Sequence, residues 1–216
     1  MIEITLNGVY NIYYSIQGMR NPKNSWSLMD SSEPGEDGNC TLGEKDLRLA
    51  RMLTLAGTEH SKFLRFIPVC FDINAPFYWW KEFDTYKFAE KNSCSTMHKL
   101  TSRPLTPEDF SFDSMTEYRE AQLKHINTLI EAYNARNGDI EEDLVSRMAL
   151  FRELIQDLPS AFNQKRTVIT NYAELRNIYF QRRHHKLEEW RTFCQWMQDE
   201  LPYSEELICL EKDEQA

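Results

Sequence analysis

The hydrophobic period of this chain changes partway along it, and no other feature limits its fold as much. Ile67, Val69, Phe71 and Ile73 alternate with other residues, the period of a half-buried strand. From Asp113 onward the apolar residues recur every three or four positions. Leu123, Ile126, Ile130 and Tyr133 share a face of a helix predicted over Asp113 to Ala135. Leu144, Met148, Phe151 and Ile155 do the same for a helix over Asp139 to Leu158, with Asn137-Gly138 between the two and Pro159 stopping the second. Val168 to Phe180 and Lys186 to Leu201 complete the set, the last with Leu187, Trp190, Cys194 and Met197 along one side. The class is α+β: a small mixed or antiparallel sheet packed with several long helices.

Upstream signals are shorter. Residues 1–18, rich in Ile, Val and Tyr, read as one or two strands with a turn at Asn7-Gly8. Residues 18–43 carry the Gly, Pro, Asn, Ser and Asp of a long loop or lid, most mobile in character from Asp30 to Asn39. A helix over 44–56 presents Leu49, Leu53 and Ala56, and Gly57 suits its end. Pro68 makes its strand an edge strand or stands among its first residues. Asn74 suits a cap and Pro76 the first turn of a helix carrying Phe77-Tyr78-Trp79-Trp80-Lys81-Glu82-Phe83, with aromatics on all sides. Residues 89–112 read as a loop with Pro104 and Pro107. The expected organisation is one domain over 1–210 and an acidic tail over 211–216.

Charge and cysteine usage narrow the function classes. A net charge of −9 with no long basic run argues against a duplex nucleic-acid partner, whose affinity comes mostly from neutralised phosphates. A few arginines still suffice for one small anionic ligand. Cys40, Cys70, Cys94, Cys194 and Cys209 are odd in number and lack CxxC spacing, so neither a disulfide framework nor a zinc site is expected. Met1-Ile2-Glu3-Ile4-Thr5 has no basic or long apolar stretch of a leader, and no apolar run nears the roughly 20 residues of a membrane span. The expected location is the cytoplasm.

Several residues are candidates for chemistry, each beside a plainer reading. Arg182-Arg183-His184-His185 is either a solvated helix end, with cations at the negative pole of the dipole, or a substrate grip centred on Arg182. Adjacent His184 and His185 diverge and have no acidic partner at matching spacing, so no metal is expected. Ser93 to Met97 offers backbone amides and the Ser93, Ser95 and Thr96 hydroxyls, which can cradle phosphate without arginine, and His98 can touch the same group. Tyr78-Trp79-Trp80 suits core packing better than ring stacking, and Tyr86 suits either. Arg20-Asn21-Pro22 is a surface loop or a cover over a ligand.

Two stretches resemble the flavin-dependent thymidylate synthases. In that family an Ala-Pro-like start leads through a helix into RHRxxSxNExSxR. Here Ala75-Pro76 is followed in the same register by Thr85-Tyr86-Lys87, Glu90, Asn92-Ser93, Ser95 and Met97. Asn92 and Ser95 match, and Lys87 keeps the charge of the third triplet position. The first two triplet positions, the Glu and the final Arg depart. The second stretch, Asn171, Asn177, Arg182, His185 and Trp190, keeps the family's order with one extra residue before the Trp, between the similar flanks Leu158-Pro159 and Leu201-Pro202-Tyr203. A third match places Arg65 where the family has a His. Gly18 to Pro22, Tyr78 to Asp84 and Ser95 to His98 are similar to a phage-encoded group within the family.

The resemblance implies methylation of deoxyuridine monophosphate at carbon 5, with methylenetetrahydrofolate supplying the carbon, reduced flavin (FAD) the hydride, and a homotetramer building each site. It implies Arg182 as the catalytic residue at the pyrimidine carbonyl. Ser93, Ser95, Thr96, His98, Arg182 and His185 then bind substrate, and Arg65, Tyr86, Lys87, Asn92, Asn171 and Asn177 bind cofactor. Lysine lacks the planar fork of arginine, so weaker flavin affinity or another ligand is expected. Asn171 and Asn177, about 240° apart if both are helical, do not share one face. The altered motif leaves a second reading, a non-catalytic nucleotide binder that sequesters or senses nucleotides in phage–host conflict, and a third, an assembly protein without ligand.

Overall fold

The computed structural model describes residues 2–35, 40–136, 138 and 141–211. Among them four strands form one sheet: β1 (Glu3–Val9), β2 (Pro68–Pro76), β3 (Glu90–Ser93) and β4 (Asn163–Asn171), in the order β1-β2-β4-β3. Every pairing is antiparallel, because rising residue numbers on one strand meet falling numbers on its neighbour. Tyr10 N–H reaches Pro68 O and Asn7 reaches Asp72; Tyr172 N–H reaches Ile67 O and Phe77 N–H reaches Phe162 O; Cys94 N–H reaches Lys165 O while Thr170 Oγ1 reaches Phe88 O. The α+β class holds.

The helices are α1 (Ile12–Met19), α2 (Glu44–Leu55), α3 (Phe77–Phe83), α4 (Thr96–Lys99), α5 (Glu117–Asn134), α6 (Glu141–Asp157), α7 (Tyr172–Arg182), α8 (Glu188–Glu200) and α9 (Ser204–Leu207). None is long and apolar enough to cross a membrane among the described residues. The long amphipathic predictions over α5, α6 and α8 correspond to helices. The Asn137 break, the Asp139 start, the Asn39 end of the loop's mobile stretch and the tail beyond Glu211 lie outside the described residues.

Several local expectations are corrected, and residues 89–112, expected as a loop, hold β3, α4 and a 3-10 turn over Pro107–Asp109. Residues 12–19 are a helix, not a strand: Asn11 takes a left-handed backbone at φ 65°, and Ile16 and the Ser15 hydroxyl, which donates to Phe63 O at 2.6 Å, are buried on one side. Asn7-Gly8 is strand interior rather than turn. Residues 168–171, expected as the start of a helix, are the end of the strand Asn163–Asn171, as the β-branched run Thr167-Val168-Ile169-Thr170 favours, and the helix begins only at Tyr172. β2 runs between two neighbours with Pro68 as its first residue, continues through Ala75-Pro76, and is followed directly by α3, so Asn74 is no cap.

The chain divides into two compact units. The first comprises Glu3–Ile73, Asp84–Asn92 and Thr167–Ala216. Its centre is a ring cluster in which Phe71 sits 5.0 Å from Trp196 and 5.7 Å from Phe193, with Leu64, Ile67, Tyr172, Leu175 and Trp190 buried. The loop before α2 is fastened by a buried ion pair and its hydrogen bonds as well as by the buried Leu42. Arg20 and Asp46 are 4% and 0% exposed and paired at 2.5 Å, while the other Asp46 oxygen accepts the amides of Asp30 and Ser31 and the Ser31 hydroxyl. Asp30 in turn accepts from the Lys45 and Asp46 amides, and its carboxyl lies where a Cβ on Gly43 would fall, 2.3 Å away. Arg20 is thus a buried tie and not a surface residue. Ala50, Thr54 and Asp46 form the buried face of α2, rotated from the expected Leu49-Leu53-Ala56 face.

The second unit comprises Met1–Ile2, Asn74–Phe83 and Ser93–Arg166. α5 and α6 pack on each other through Ile126, Leu129, Ile130 and Leu154, with Leu100, Leu105 and Phe110 closing one cluster. Trp79, Trp80 and Phe83 are buried core, as the plainer reading had it; Trp79 stacks on Phe83 at 4.9 Å.

Candidate functional site

In the first unit the candidate residues gather around the last turn of α7. The Arg182 Nε donates to the Tyr86 hydroxyl at 2.7 Å, and the guanidinium lies 4.6 Å from the centre of the Trp190 ring. Tyr86, 5% exposed, donates onward to Gln181 Oε1 at 3.1 Å, and Gln181 Nε2 donates to Asn177 Oδ1 at 2.7 Å. His185 meets the same Trp190 ring edge-on at 6.2 Å, and its Nδ1 accepts the Leu187 amide at 3.2 Å. Helical spacing explains part of this: Asn177 and Gln181 are four apart on one face, and Arg182 follows at the end. The rest comes from Tyr86, delivered by the segment after α3.

Glu174 lies under this group. Burial pushes its carboxyl above the ordinary range, against hydrogen bonds from the Asn177 side chain and the Phe88 amide. Composition and spacing gave no sign of Glu174 or of Gln181, because their roles depend on residues some 90 positions away. Asn171 stands apart from the group at the other end of α7, where its Oδ1 accepts the Glu174 amide at 3.0 Å as an N-cap. Asn171 and Asn177 therefore differ in kind as well as in face. Lys87 is exposed and donates to the Asp84 carbonyl at 3.1 Å, Asn92 is exposed on β3, and Arg65 is exposed on a 3-10 turn over Ser61–Phe66.

In the second unit Ser95 caps α4. Its hydroxyl accepts the His98 amide at 3.2 Å and lies 2.7 Å from His98 Nδ1, so Ser95 and His98 are brought together as expected of one loop. Gln164, on β4, holds the loop from below: its Nε2 donates to Cys94 O at 2.9 Å and to Thr96 Oγ1 at 3.2 Å. The Gln164 carbonyl accepts Trp80 Nε1 at 2.9 Å, and its side-chain oxygen accepts Arg166 Nε, whose guanidinium lies 4.2 Å over the Trp80 ring. Ser93 ends β3, exposed. A cavity of about 190 Å³ opens beside the loop, lined by Ser95, Thr96, Lys99, Arg103, Gln164 and Lys165 among others. Arg103 is bound at 2.7 and 2.5 Å to Asp109, which leaves Lys99 and Lys165 as the basic side chains of the wall outside that pair. Gln164, Lys99 and Lys165 were not legible as site residues, since polar side chains on a strand and a short turn carry no motif.

One grouping lies elsewhere. His125 on α5 and Glu153 and Asp157 on α6 bring ligand-type atoms within 4.8 Å of one another, with His125 Nε2 2.8 Å from Asp157 Oδ2. All five cysteines are free thiols.

Neither a family model nor a curated protein sequence matches the chain. Solved structures do. A crystal structure of thymidylate synthase X (ThyX) from Helicobacter pylori with FAD and dUMP superposes with a TM-score of 0.71, covering 98% of this chain and 100% of that one at 18% identity. The fold is that of the flavin-dependent thymidylate synthases. A second crystal structure of the Helicobacter pylori enzyme complexed with FAD and dUMP agrees, with a TM-score of 0.70 over 97% of this chain and 100% of that one, again at 18% identity. The likeness to ThyX runs the whole length of the chain, including segments where the signature is altered.

Proposed function

We propose that the protein binds a pyrimidine deoxynucleoside monophosphate of the dUMP type and modifies it in the manner of a thymidylate synthase. The observation that carries this reading is the full-length likeness to structures holding FAD and dUMP, in a chain that retains Arg182 at the end of α7. In this reading Arg182, oriented by Tyr86 and Trp190, meets the pyrimidine carbonyl and stabilises charge as it develops on the ring. Ser93, Ser95 and Thr96, with His98, take the phosphate through hydroxyls and amides. Each role belongs to one compact unit and is tested separately.

The cofactor side differs. Tyr86 is buried and bonded to Arg182 and Gln181, Asn171 Oδ1 caps α7, and Asn177 Oδ1 is held by Gln181. Arg65, Lys87 and Asn92 are the exposed members of the set. This donor set does not fit the arginine-forked pyrophosphate grip that the resemblance implies, and no step through flavin is derived from it. The mismatch favours a second reading: a nucleotide binder without catalysis that sequesters or senses its ligand.

A spectrum and a titration separate the two. Bound FAD gives an absorbance peak near about 450 nm that co-elutes with the protein. Co-elution together with dUMP binding by calorimetry supports the modifying enzyme. Binding of dUMP without flavin supports the second reading, and failure to bind either refutes both.

A further inference from the structure

We propose that the seam between α5 and α6 holds a divalent transition-metal ion of the zinc type, ligated by His125 from α5 and by Glu153 and Asp157 from α6. One ligand-type atom from each residue lies within 4.8 Å of the others, and His125 Nε2 is 2.8 Å from Asp157 Oδ2. Glu153 and Asp157 stand one helical turn apart, so their carboxylates share a side. The backbone beneath is held by the core: Ile126, which follows His125, and Leu154, which follows Glu153, are buried in one cluster with Leu129. Closing on an ion therefore needs side-chain rotation alone. Oxygen and nitrogen ligands of a tetrahedral ion lie about 2.0–2.2 Å from it and so roughly 3.3–3.6 Å from one another. Rotation of the exposed Glu153 side chain brings the set to that spacing. His125 and Asp157 are about half exposed, which leaves an ion a way in.

The charge arrangement independently calls for a cation. Glu153 and Asp157 close α6 at the negative pole of its dipole, and no base stands in its last turn. Carboxylates at that pole are unfavourable, and His125 offsets them only while protonated. A divalent ion offsets both carboxylates and the pole together. The donor set selects which ion. Magnesium and calcium take oxygen ligands, whereas imidazole suits zinc and its transition-metal neighbours. One imidazole nitrogen with two carboxylate oxygens is a mixed set that zinc accepts, with water in the fourth position. Bound there, the ion ties α5 to α6 across the seam. No motif marks the set, because His125 and Asp157 stand 32 positions apart and meet only through the packing of the two helices. The inference uses the second unit alone and does not rest on the ligand reading.

Calorimetry of the full chain, stripped with a chelator and titrated with zinc chloride, tests it. The wild type takes up one ion per chain at this site, and free zinc at about a hundredfold excess over Kd raises Tm by roughly 5–10 °C. Glu153→Gln removes one ligand and leaves the contact between His125 and Asp157 in place; His125→Ala and Asp157→Asn remove the others. Each lowers zinc affinity by at least about tenfold, since losing even an outer partner of a ligand costs that much. Circular dichroism without zinc verifies that each variant folds. The free cysteines are the competing ligands, so a second titration uses cobalt(II). Nitrogen and oxygen ligation gives visible bands that the three substitutions remove, whereas thiolate ligation gives near-ultraviolet charge-transfer bands that they leave unchanged. No zinc uptake, uptake that all three variants retain, or a cobalt spectrum carried by thiolate bands alone overturns the site.

Discussion

Asp46→Ala removes the centre of the tie that fastens the loop before α2. Asp46 accepts from Arg20, from the Asp30 and Ser31 amides and from the Ser31 hydroxyl, at distances from 2.5 to 3.0 Å. Arg20 would remain as a charge only 4% exposed with its paired carboxylate gone. Breaking one side of such a buried pair costs about 3–5 kcal/mol, and a chain of this size loses roughly 2–4 °C in Tm per kcal/mol, so the expected fall is about 6–20 °C. The double variant Arg20→Met with Asp46→Leu removes both charges and leaves no orphan. It should recover most of that loss, because an apolar pair of similar volume is often as stable as the ion pair it replaces. Circular dichroism melts of the wild type, the single variants Arg20→Met and Asp46→Leu and the double close the cycle, with Asp46→Ala measured beside them. If Asp46→Ala lowers Tm by less than about 2 °C, or the double melts no higher than the worse single, the tie does not hold the loop in the way argued. The pH dependence follows from the same carboxyl. Burial alone would raise it, but hydrogen bonds from Ser31, Arg20 and the Asp30 and Ser31 amides hold it below the ordinary value of 3.8. Its contribution is therefore complete above the unfolded value and is lost as pH falls through the folded one, so the gap between wild type and Asp46→Asn should shrink in acid.

Arg182→Ala should weaken nucleotide binding by about 1.5–3 kcal/mol, roughly a ten- to hundredfold change in Kd by calorimetry; unchanged affinity in a folded variant removes Arg182 from the site. Glu174→Gln should raise Tm at neutral pH and lose that advantage in acid. Burial raises the Glu174 carboxyl, so its protonated form favours the fold below the unfolded pKa, and stability is lost as pH rises through the folded one; equal gains at every pH would refute this. Gly43→Ala should destabilise by about 1–3 kcal/mol in a chemical melt, because the added carbon meets the Asp30 carboxyl and backbone oxygen at 2.3–2.4 Å; a neutral effect would mean that Asp30 yields freely.

The long helices were legible because their apolar spacing reflects burial on one side, which a sequence window sees directly. α1 and β4 were not. At α1 the tyrosines and isoleucines favour a strand locally, and only the burial of Ser15 and Ile16 decides for helix. At β4 the β-branched run was present, but the helical spacing downstream was extended back across it. β3 reads Glu90-Lys91-Asn92-Ser93 and has no apolar alternation, as suits a strand at the sheet edge. The resemblance brought Tyr86, Asn177 and Arg182 onto one page, but the hydrogen bonds that join them depend on Gln181, which no motif singled out.

The row of side chains along α7 also has a direction. Arg182 donates to Tyr86, Tyr86 to Gln181, Gln181 through its amide to Asn177, and Asn177 to Glu174. Each dipole points from a cation toward a carboxyl, and each bond polarises the next. A row of this kind tolerates the loss of a member better than the reversal of one. Asn177→Asp keeps the shape of the side chain yet turns a donor toward Glu174 into a second anion beside it, so the most conservative-looking exchange on this helix is also the one most at odds with its neighbours.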